Sequence, residues 1–285
     1  MANVLITGCG SGFGLLTAEK FAREGHRVFA TVRDVGRAGE LEAARDAERL
    51  PITILPLEVR DAAAVRAAVT TALAAGPLDV LVNNAGYALL GPVEEVGEEE
   101  MLAQFETNVF GLVRMIRAVL PGMRERRAGT IVNVSSMGVY RPRPFAGFYL
   151  GSKAAVGALS QALHQGLRPF GVRVVLVEAS AYPTRFGANR QVTGRASPES
   201  PYHTALQQVA EGLRRWVSTA STDPREVADA VYDAVLTEQP RFRCLVGPPP
   251  DAWPGPARAL ASQLAVQCRS GEVVSPLDAL GSLLT

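Results

Sequence analysis

The sequence has few cysteines, and those it has are far apart. The 285 residues include only Cys9, Cys244 and Cys268. An odd number of distant cysteines fits neither a disulfide framework nor a metal-binding knuckle. We therefore expect a protein without disulfides in a reducing compartment, and we predict a cytoplasmic location.

An excess of charge of either sign is also missing. There are 29 Lys and Arg residues against 28 Asp and Glu residues, so the formal net charge is +1. Proteins that bind nucleic acid or anionic membranes usually carry a strongly basic surface. No apolar run reaches the ~20 residues that cross a bilayer, and the first residues do not resemble a signal peptide. The sequence predicts neither a nucleic-acid partner nor a membrane partner.

What is present is an ordinary globular composition, with 47% hydrophobic residues and ample material for a core. Short β-branched apolar runs alternate with helical patterns, which predicts an α/β fold with a doubly wound parallel sheet. No repeat or low-complexity linker divides the chain. We therefore predict a single domain over residues 1–285.

The chain begins with a strand, a glycine-rich turn and a helix. Residues 4–6 are apolar and lead into the turn Thr7-Gly8-Cys9-Gly10-Ser11-Gly12-Phe13-Gly14. Glycines let the backbone pass close to a pyrophosphate, and the N-terminus of the next helix offers N–H groups to the phosphates. Any tight turn uses glycines, but between a strand and a helix they favour nucleotide binding. The expected contacts are Gly8, Gly10, Ser11, Gly12, Phe13 and Gly14.

The end of the second strand bears on the choice of nucleotide. This strand, predicted over residues 27–32, is followed by Arg33 and Asp34. In dinucleotide folds an acid here binds the ribose hydroxyls of NAD, whereas an Arg accommodates the 2′-phosphate of NADP. Arg33 favours NADP(H), and Asp34 keeps NAD(H) open if the register differs by two residues. The alternative for Arg33 is an ordinary solvated charge.

Two further strands end in residues that suit a cofactor crevice. Residues 52–57 and 79–82 are predicted strands, and the second leads into Asn83-Asn84-Ala85-Gly86. The carboxyl ends of parallel strands meet at one edge of a sheet, where such folds bind ligands. A plain Asn-Gly turn is the alternative. These strand ends add Glu58, Val59, Asn84, Ala85 and Gly86 to the expected cofactor contacts.

Asn108 falls inside a long predicted helix, residues 98–127, which we expect to bend near Pro121. Asparagine is a mediocre residue for a helix interior. Either its side chain faces solvent, or its amide has a task.

Ser136, Tyr149 and Lys153 carry the strongest chemical signal. Tyr149 and Lys153 are four residues apart on a predicted helix, residues 149–167, so they share one face. A tyrosine titrates near pKa ~10, and a neighbouring lysine cation should lower that value. Ser136 follows a predicted strand and could hydrogen-bond the same substrate oxygen, which makes a proton donor with an oxyanion partner. A Tyr and a Lys on an ordinary amphipathic helix are the alternative.

The segment 185–222 lacks a clear strand pattern, and we predict that it covers the substrate site as a helical lid. Residues 248–285 are predicted to be a C-terminal extension. Aromatic residues near the site favour an apolar, aryl or polycyclic ketone or alcohol, or else belong to the core. They are Tyr140, Phe145, Phe148, Tyr182, Phe186 and Trp216. Arginines near the same mouth leave an acidic substrate open, namely Arg141, Arg143, Arg185 and Arg190.

Four motifs occur in the order found in the short-chain dehydrogenase/reductases, and the chain resembles this family over residues 2–247. They are Thr7-Gly8-x-x-x-Gly12-x-Gly14, Asn83-Asn84-Ala85-Gly86, Ser136 and Tyr149-x-x-x-Lys153. Ser136 precedes Tyr149 by 13 residues, as is usual there, and Asn108 stands where the family has its asparagine. Residues 30–34 look most like the branch that contains 17β-hydroxysteroid dehydrogenase type 1 and the retinol dehydrogenases. The resemblance implies a Rossmann fold.

The resemblance also implies an NADP(H)-dependent oxidoreductase that moves a hydride between the nicotinamide and a ketone or secondary alcohol. Tyr149 would exchange the proton with the substrate oxygen, and Ser136 would stabilise that oxygen. Lys153 would lower the tyrosine pKa and hold the nicotinamide ribose, and Asn108 would support a water relay to Lys153. No metal is needed. Family members form homodimers or homotetramers, and the small residues of helix 149–167 suit such an interface.

Two positions depart from the family. Ala179-Ser180 stands where the family has Pro-Gly beside the nicotinamide carboxamide, and Glu58 replaces an aspartate near the adenine. Thr184 matches a family cofactor contact, and we expect Tyr182 to be another.

Two other functions remain open. An NAD(P)-using epimerase or dehydratase usually has a glycine turn one residue shorter and a larger substrate domain, which argues against it. A non-catalytic NADP(H) sensor cannot be separated by fold alone, but it has no need of Ser136, Tyr149 and Lys153. Replacing Tyr149 by Phe discriminates, because a sensor should keep its function.

Overall fold

The computed structural model describes residues 1–219 and 222–247. Two expectations fall outside the described residues, the side chain of Trp216 and the extension 248–285.

Seven parallel strands form the central sheet, in the order β3-β2-β1-β4-β6-β7-β9, and β5 pairs with β8 beside it. The strands are β1 (Asn3–Ile6), β2 (Arg27–Val32), β3 (Ile52–Pro56), β4 (Val80–Asn83), β5 (Leu89–Leu90), β6 (Gly129–Ser136), β7 (Val172–Ala179), β8 (Gln191–Val192) and β9 (Arg243–Val246).

Helices cover both faces of the sheet. They are α1 (Gly12–Arg23), α2 (Gly39–Glu48), α3 (Ala62–Leu73), α4 (Glu98–Phe105), α5 (Leu112–Arg126), α6 (Gly147–Leu167), α7 (His203–Thr219) and α8 (Arg225–Leu236). Helices α1, α2 and α8 share one apolar core with the sheet, and α3, α5 and α6 share the other. This is the doubly wound α/β domain that the strand and helix patterns predict.

The two cores follow from the alternation of side chains along the strands. In β1, Val4 and Ile6 point into the core of α1 and α8, and Leu5 points into the core of α3, α5 and α6. Successive residues of a strand face opposite sides of a sheet. All three side chains are fully buried, and each contributes roughly 1.5–3 kcal/mol by leaving water.

The order of the strands reverses between β1 and β4. The chain runs outward from β1 to β3 and then returns to add β4 on the other side of β1. In such sheets ligands bind in the crevice that opens at this reversal, beyond the carboxyl ends of the strands. The glycine turn follows β1 and the Asn83–Gly86 segment follows β4, so both lie at this crevice.

Helix α5 continues through Pro121. The expected irregularity lies instead in a π-helical turn, Glu106–Gly111, which joins α4 to α5 and contains Asn108. A π-turn inserts one residue into the helical ladder and often marks a functional position.

Helix α8 begins at Arg225, where the Asp223 carboxylate accepts from the Arg225 N–H. One smaller expectation is corrected, because the segment 185–222, which lacks a clear strand pattern in the sequence, contains the short strand β8, which pairs with β5. Among the described residues, no helix is long and apolar enough to span a bilayer.

Candidate active site

Strand β6 and helix α6 bring Ser136, Tyr149 and Lys153 to one cleft. Ser136 is the last residue of β6, at the carboxyl edge of the sheet, and Tyr149 and Lys153 lie in the first two turns of α6. All three line the same cavity, which measures about 1230 Å³ including its open mouth. The fold therefore brings Ser136, Tyr149 and Lys153 together in the way that their spacing in the sequence predicts.

Lys153 is buried, and no carboxylate of the described residues is paired with it. Its side chain is part of a residue only 6% exposed, and Nζ donates a hydrogen bond to the Val134 carbonyl oxygen at 2.9 Å. Burial alone lowers the pKa of Lys153 to about 8, because desolvation disfavours the charged form.

Tyr149 departs from the expected direction of titration. Burial raises its pKa to about 12, and a hydrogen bond with Ser136 offsets part of that rise. In the protein alone, desolvation therefore outweighs any lowering by Lys153, whose own ammonium is desolvated and bound to Val134. The phenol is therefore protonated at neutral pH and has a proton that it can donate.

The Ser136 hydroxyl is held in place by the turn that follows β6. Its Oγ accepts from the Gly138 N–H at 3.1 Å, which leaves the O–H to donate. The short 3₁₀ turn Met137–Tyr140 fixes this geometry. Ser136 can therefore donate to an oxygen that Tyr149 also reaches.

Asn108 is buried, and its amide has a task. Oδ1 accepts from the Tyr87 N–H at 3.1 Å, and Nδ2 donates to the Tyr87 carbonyl at 3.0 Å and to Ser152 Oγ at 3.0 Å. Asn108 thus joins the loop after β4 to α6, next to Lys153. A Cβ on Gly86 would lie 2.9 Å from Asn108 Oδ1 and 3.6 Å from Lys153 Nζ, so this position needs a glycine.

The glycine turn fits a dinucleotide phosphate. Gly12 has φ +60°, and a Cβ on Gly14 would lie 2.3 Å from the Gly8 carbonyl oxygen. The N-cap residue Ser11 makes no side-chain cap, and the first turn of α1 contains no acid. The N-terminal N–H groups of α1 are therefore left for an anion such as a pyrophosphate.

Asn84 and Thr7 hold this turn against the loop after β4. Asn84 Nδ2 donates to the carbonyls of Thr7 and Gly8 at 2.9 and 3.0 Å. Thr7 Oγ1 accepts from the N–H groups of Asn84 and Ala85, both at 3.0 Å. Sequence reasoning gave Thr7 no role of its own, although its place directly after β1 was a usable signal.

The residues expected around the adenosine are spread over two strand ends. Arg33 is exposed after β2. Asp34 Oδ1 accepts from the Gly36 N–H at 2.9 Å and caps a 3₁₀ turn. Glu58 accepts from the backbone and the guanidinium of Arg60, each at 3.0 Å. Val59 is buried, so its side chain belongs to the core.

Thr184 and Tyr182 lie on the other wall. A Cβ on Gly12 would lie 3.4 Å from Thr184 Cβ, so Thr184 faces the glycine turn. Tyr182 packs edge-on against Phe13, with ring centroids 5.5 Å apart, and its hydroxyl donates to Glu226 Oε2 at 2.8 Å. Both line the cleft, but the Tyr182 hydroxyl is committed to α8.

Only part of the expected aromatic lining is found. Tyr182 and Phe186 line the cleft, and the Phe186 ring lies 5.7 Å from that of Tyr149. Tyr140, Phe145 and Phe148 are not among its lining residues. Tyr140 instead donates to a buried carboxylate, and Phe145 packs on Tyr202.

The remaining lining combines apolar walls with arginines. The larger apolar side chains are Leu90, Val134, Met137, Leu150 and Leu213. Arg141, Arg143 and Arg190 also line the cleft, whereas Arg185 forms an ion pair with Glu40. Across residues 1–219 and 222–247, no group of three or more His, Cys, Asp or Glu side chains could hold a metal ion.

Two buried supports were not anticipated. Gln104 accepts from the Leu89 N–H at 2.7 Å and donates to the Tyr87 carbonyl at 2.9 Å. Ser152 donates to the Tyr149 carbonyl at 2.6 Å. These contacts join segments distant in sequence or lie within one helical turn, and no motif marks them.

Known proteins match this chain along most of its length. The family model for short chain dehydrogenases matches residues 2–193. A 3-ketodihydrosphingosine reductase of Bacteroides thetaiotaomicron is 35% identical, over 86% of this chain and 87% of that protein. Human 17-beta-hydroxysteroid dehydrogenase type 1 is 37% identical, over 84% and 76%. Bovine retinol dehydrogenase 8 is 41% identical, over 84% and 80%.

Solved structures agree with the fold. A short chain dehydrogenase/reductase from Burkholderia phymatum in complex with NAD gives a TM-score of 0.79 at 27% identity, over 96% of this chain and 98% of that chain. A metagenomic short-chain oxidoreductase in complex with NADP gives 0.68 at 26% identity, over 87% and 98%. The chain therefore belongs to the short chain dehydrogenase family and is an oxidoreductase of CH–OH and carbonyl groups.

Proposed function

We propose that the protein is an NADP(H)-dependent oxidoreductase that interconverts a ketone and a secondary alcohol, with Tyr149 as the general acid and base. One observation carries this proposal. Ser136, Tyr149 and Lys153 line a single cleft that also reaches Phe13 in the glycine turn.

In the reductive direction, Tyr149 donates its phenolic proton to the carbonyl oxygen of the substrate. NADPH held in the crevice would supply a hydride for the carbonyl carbon. The Ser136 O–H donates to the same oxygen and stabilises the charge that develops there. The raised pKa of Tyr149, about 12, keeps the phenol protonated at neutral pH, so the proton is present when a ketone binds.

Lys153 acts on the tyrosine after the proton has left. Its ammonium donates to the Val134 carbonyl at 2.9 Å. Because the site is desolvated, the ammonium is poorly hydrated and its attraction to a phenolate is strong. Asn108 anchors this part of α6 through Ser152 and supports the route by which water returns the proton. In alcohol oxidation, the same groups act in reverse.

Cofactor binding is assigned to the crevice at the strand reversal. The N-terminus of α1 would hold the pyrophosphate, and Thr184 and Lys153 would face the nicotinamide half. Gly86 would let the backbone approach the nicotinamide ribose. The exposed Arg33 would bind a 2′-phosphate, because Asp34 is occupied as a cap, so NADP(H) is preferred over NAD(H).

The substrate is assigned to the apolar part of the cleft, beside residues 185–213. Leu206 of α7 packs with Leu90 and Leu150, and Leu213 lies against the same cluster. These side chains and the ring of Phe186 suit an apolar or aromatic body.

A homo-oligomer fits the outer face of α6. Gly151, Ala154, Ala158 and Ala162 are exposed there and lie on one side of the helix. Small residues let two helices approach closely, so we expect a homodimer or homotetramer. Light scattering coupled to size-exclusion chromatography measures the number of subunits.

The test is oxidation of NADPH and NADH in parallel against aryl, steroid, quinone and keto-acid carbonyls. We expect turnover with NADPH preferred. In Arg33→Ala the KM for NADPH should rise about tenfold, as loss of one charge-assisted contact implies, with no change for NADH. Arg66→Ala, on the exposed face of α3, is the control.

Two results would overturn parts of the proposal. A clear NADH preference would move the ribose contact to Asp34. Tight cofactor binding without turnover on any carbonyl or alcohol would favour the sensor.

A further inference from the structure

The mouth of the cleft contains arginines and no acid. Of the described residues that line it, Arg141, Arg143 and Arg190 carry positive charge outside the catalytic trio, and none is Asp, Glu or His. The lining of the cleft therefore carries positive charge that would attract an anion.

Arg190 is partly buried beside another cation. A Cβ on Gly187 would lie 3.5 Å from Arg190 Nη2, so the guanidinium folds back over a backbone segment that also lines the cleft. Burial and the nearby charge of Arg214 both lower its pKa. Desolvating like charges together costs free energy unless an anion joins them.

The apolar wall connects this mouth to the catalytic tyrosine. Tyr149, Leu90, Leu150 and Leu213 belong to one apolar cluster. Leu213 immediately precedes Arg214 on α7. A substrate that lies along this wall can place its reacting carbon at Tyr149 and its body on the leucines, while the arginines of the same cleft are available to another part of it.

We propose that the substrate is a ketone or secondary alcohol whose apolar body ends in an anionic group, a carboxylate or a phosphate, bound by Arg190 and Arg141. The inference rests on the proposed function of the cleft and adds the substrate class. Guanidinium groups bind both anions with paired hydrogen bonds.

The experiment compares benzoylpropionate with its methyl ester, which has the same body without the charge. We expect the wild-type kcat/KM to favour the acid by about tenfold or more, since a charge-assisted contact is worth that much. In Arg190→Gln and Arg141→Gln the acid should lose this advantage through a higher KM, with the ester unchanged. Arg66→Gln is the matched control.

A further arm distinguishes the source of the anion. Acetoacetyl coenzyme A carries phosphates and no carboxylate near its ketone. A drop in its kcat/KM in the arginine variants, with the acid and the ester reacting equally, assigns the site to a phosphate. A drop for benzoylpropionate assigns it to a carboxylate.

The outcomes separate the two proposals. If the acid, the ester and the thioester all react and no arginine variant changes their ratios, the anion site is wrong and the oxidoreductase stands. If Arg190→Gln raises the KM for NADPH equally with every substrate, the arginine serves the cofactor and the anion site is again wrong. If no carbonyl in the wider panel reacts although NADPH binds, the proposed function itself fails.

Discussion

Two partly buried tyrosines flank one loop at the carboxyl edge of β6, and their surroundings differ. The Tyr140 hydroxyl donates to Glu178 Oε2 at 2.8 Å and accepts from Arg243 Nη1 at 3.0 Å. Glu178 is 1% exposed and forms an ion pair with Arg243 at 3.0 Å. Tyr149 lines the cleft beside Ser136, with no carboxylate among the described lining residues.

This difference in surroundings indicates a structural role for Tyr140 and a chemical role for Tyr149. Burial, and then the charge of Glu178, raise the pKa of Tyr140 far above its ordinary value. That tyrosine belongs to a network in which each charge has a partner, and a satisfied network rigidifies a fold. Tyr149 and Lys153 are desolvated without such compensation, which is typical of groups kept for reaction.

The largest effect is expected from Lys153→Met. Without the ammonium, the phenolate keeps only the Ser136 hydrogen bond, and turnover should fall about 10²-fold or more, as for other lost acid–base groups. The variant also removes a buried charge, so the melting temperature should not drop. Steady-state rates and thermal unfolding check both expectations. Unchanged turnover would show that Lys153, like Tyr140, has a structural role and no catalytic one.

Arg243→Met should act on stability instead. It leaves the Glu178 carboxylate buried without its cation, which costs about 3–5 kcal/mol. Urea unfolding measures the loss, and turnover per folded molecule should be retained. Adding Glu178→Gln removes the stranded charge and should restore part of the stability. If Arg243→Met were as stable as the wild type, the structural role of the Tyr140 network would be contradicted.

The smallest effect is a pH dependence. Burial places the pKa of Lys153 near 8, below its ordinary value, so the lysine is charged at pH 7 and loses its proton as the pH rises through 8. The kcat/KM for NADPH, which reports ionisations of the free enzyme, should therefore fall above pH 8. Tyr149, at about 12, stays protonated throughout.

The residual activity of Lys153→Met is the control for that pH profile and should lack the inflection. The same ionisation also bears on stability. Between about pH 8 and the ordinary lysine pKa of ~10.4 the unfolded chain binds more protons than the folded one, so the Lys153 contribution to stability should rise with pH.

Local patterns predicted the parts of the fold that depend on neighbours in sequence. β2 spans the expected residues 27–32. The glycine turn and the helix after it depend on a few adjacent residues, so their pattern was readable.

Contacts between distant segments could not be predicted. The π-turn holds Asn108, which bonds the Tyr87 backbone 21 residues away. Tyr140 does not line the cleft as expected, because its hydroxyl donates to Glu178, which is 38 residues away in sequence. The direction of the Tyr149 pKa also differed, because spacing reveals a nearby charge but not how deeply the site is buried.

The most direct test of the account measures Tyr149→Phe and Tyr140→Phe side by side. For each variant, NADPH binding, carbonyl turnover and urea unfolding are recorded. We predict that Tyr149→Phe loses turnover by about 10²-fold or more and keeps cofactor binding and stability. Tyr140→Phe should keep turnover and lose about 1–3 kcal/mol. If Tyr149→Phe turned over the ketone at the wild-type rate, the assignment of the proton donor would be wrong.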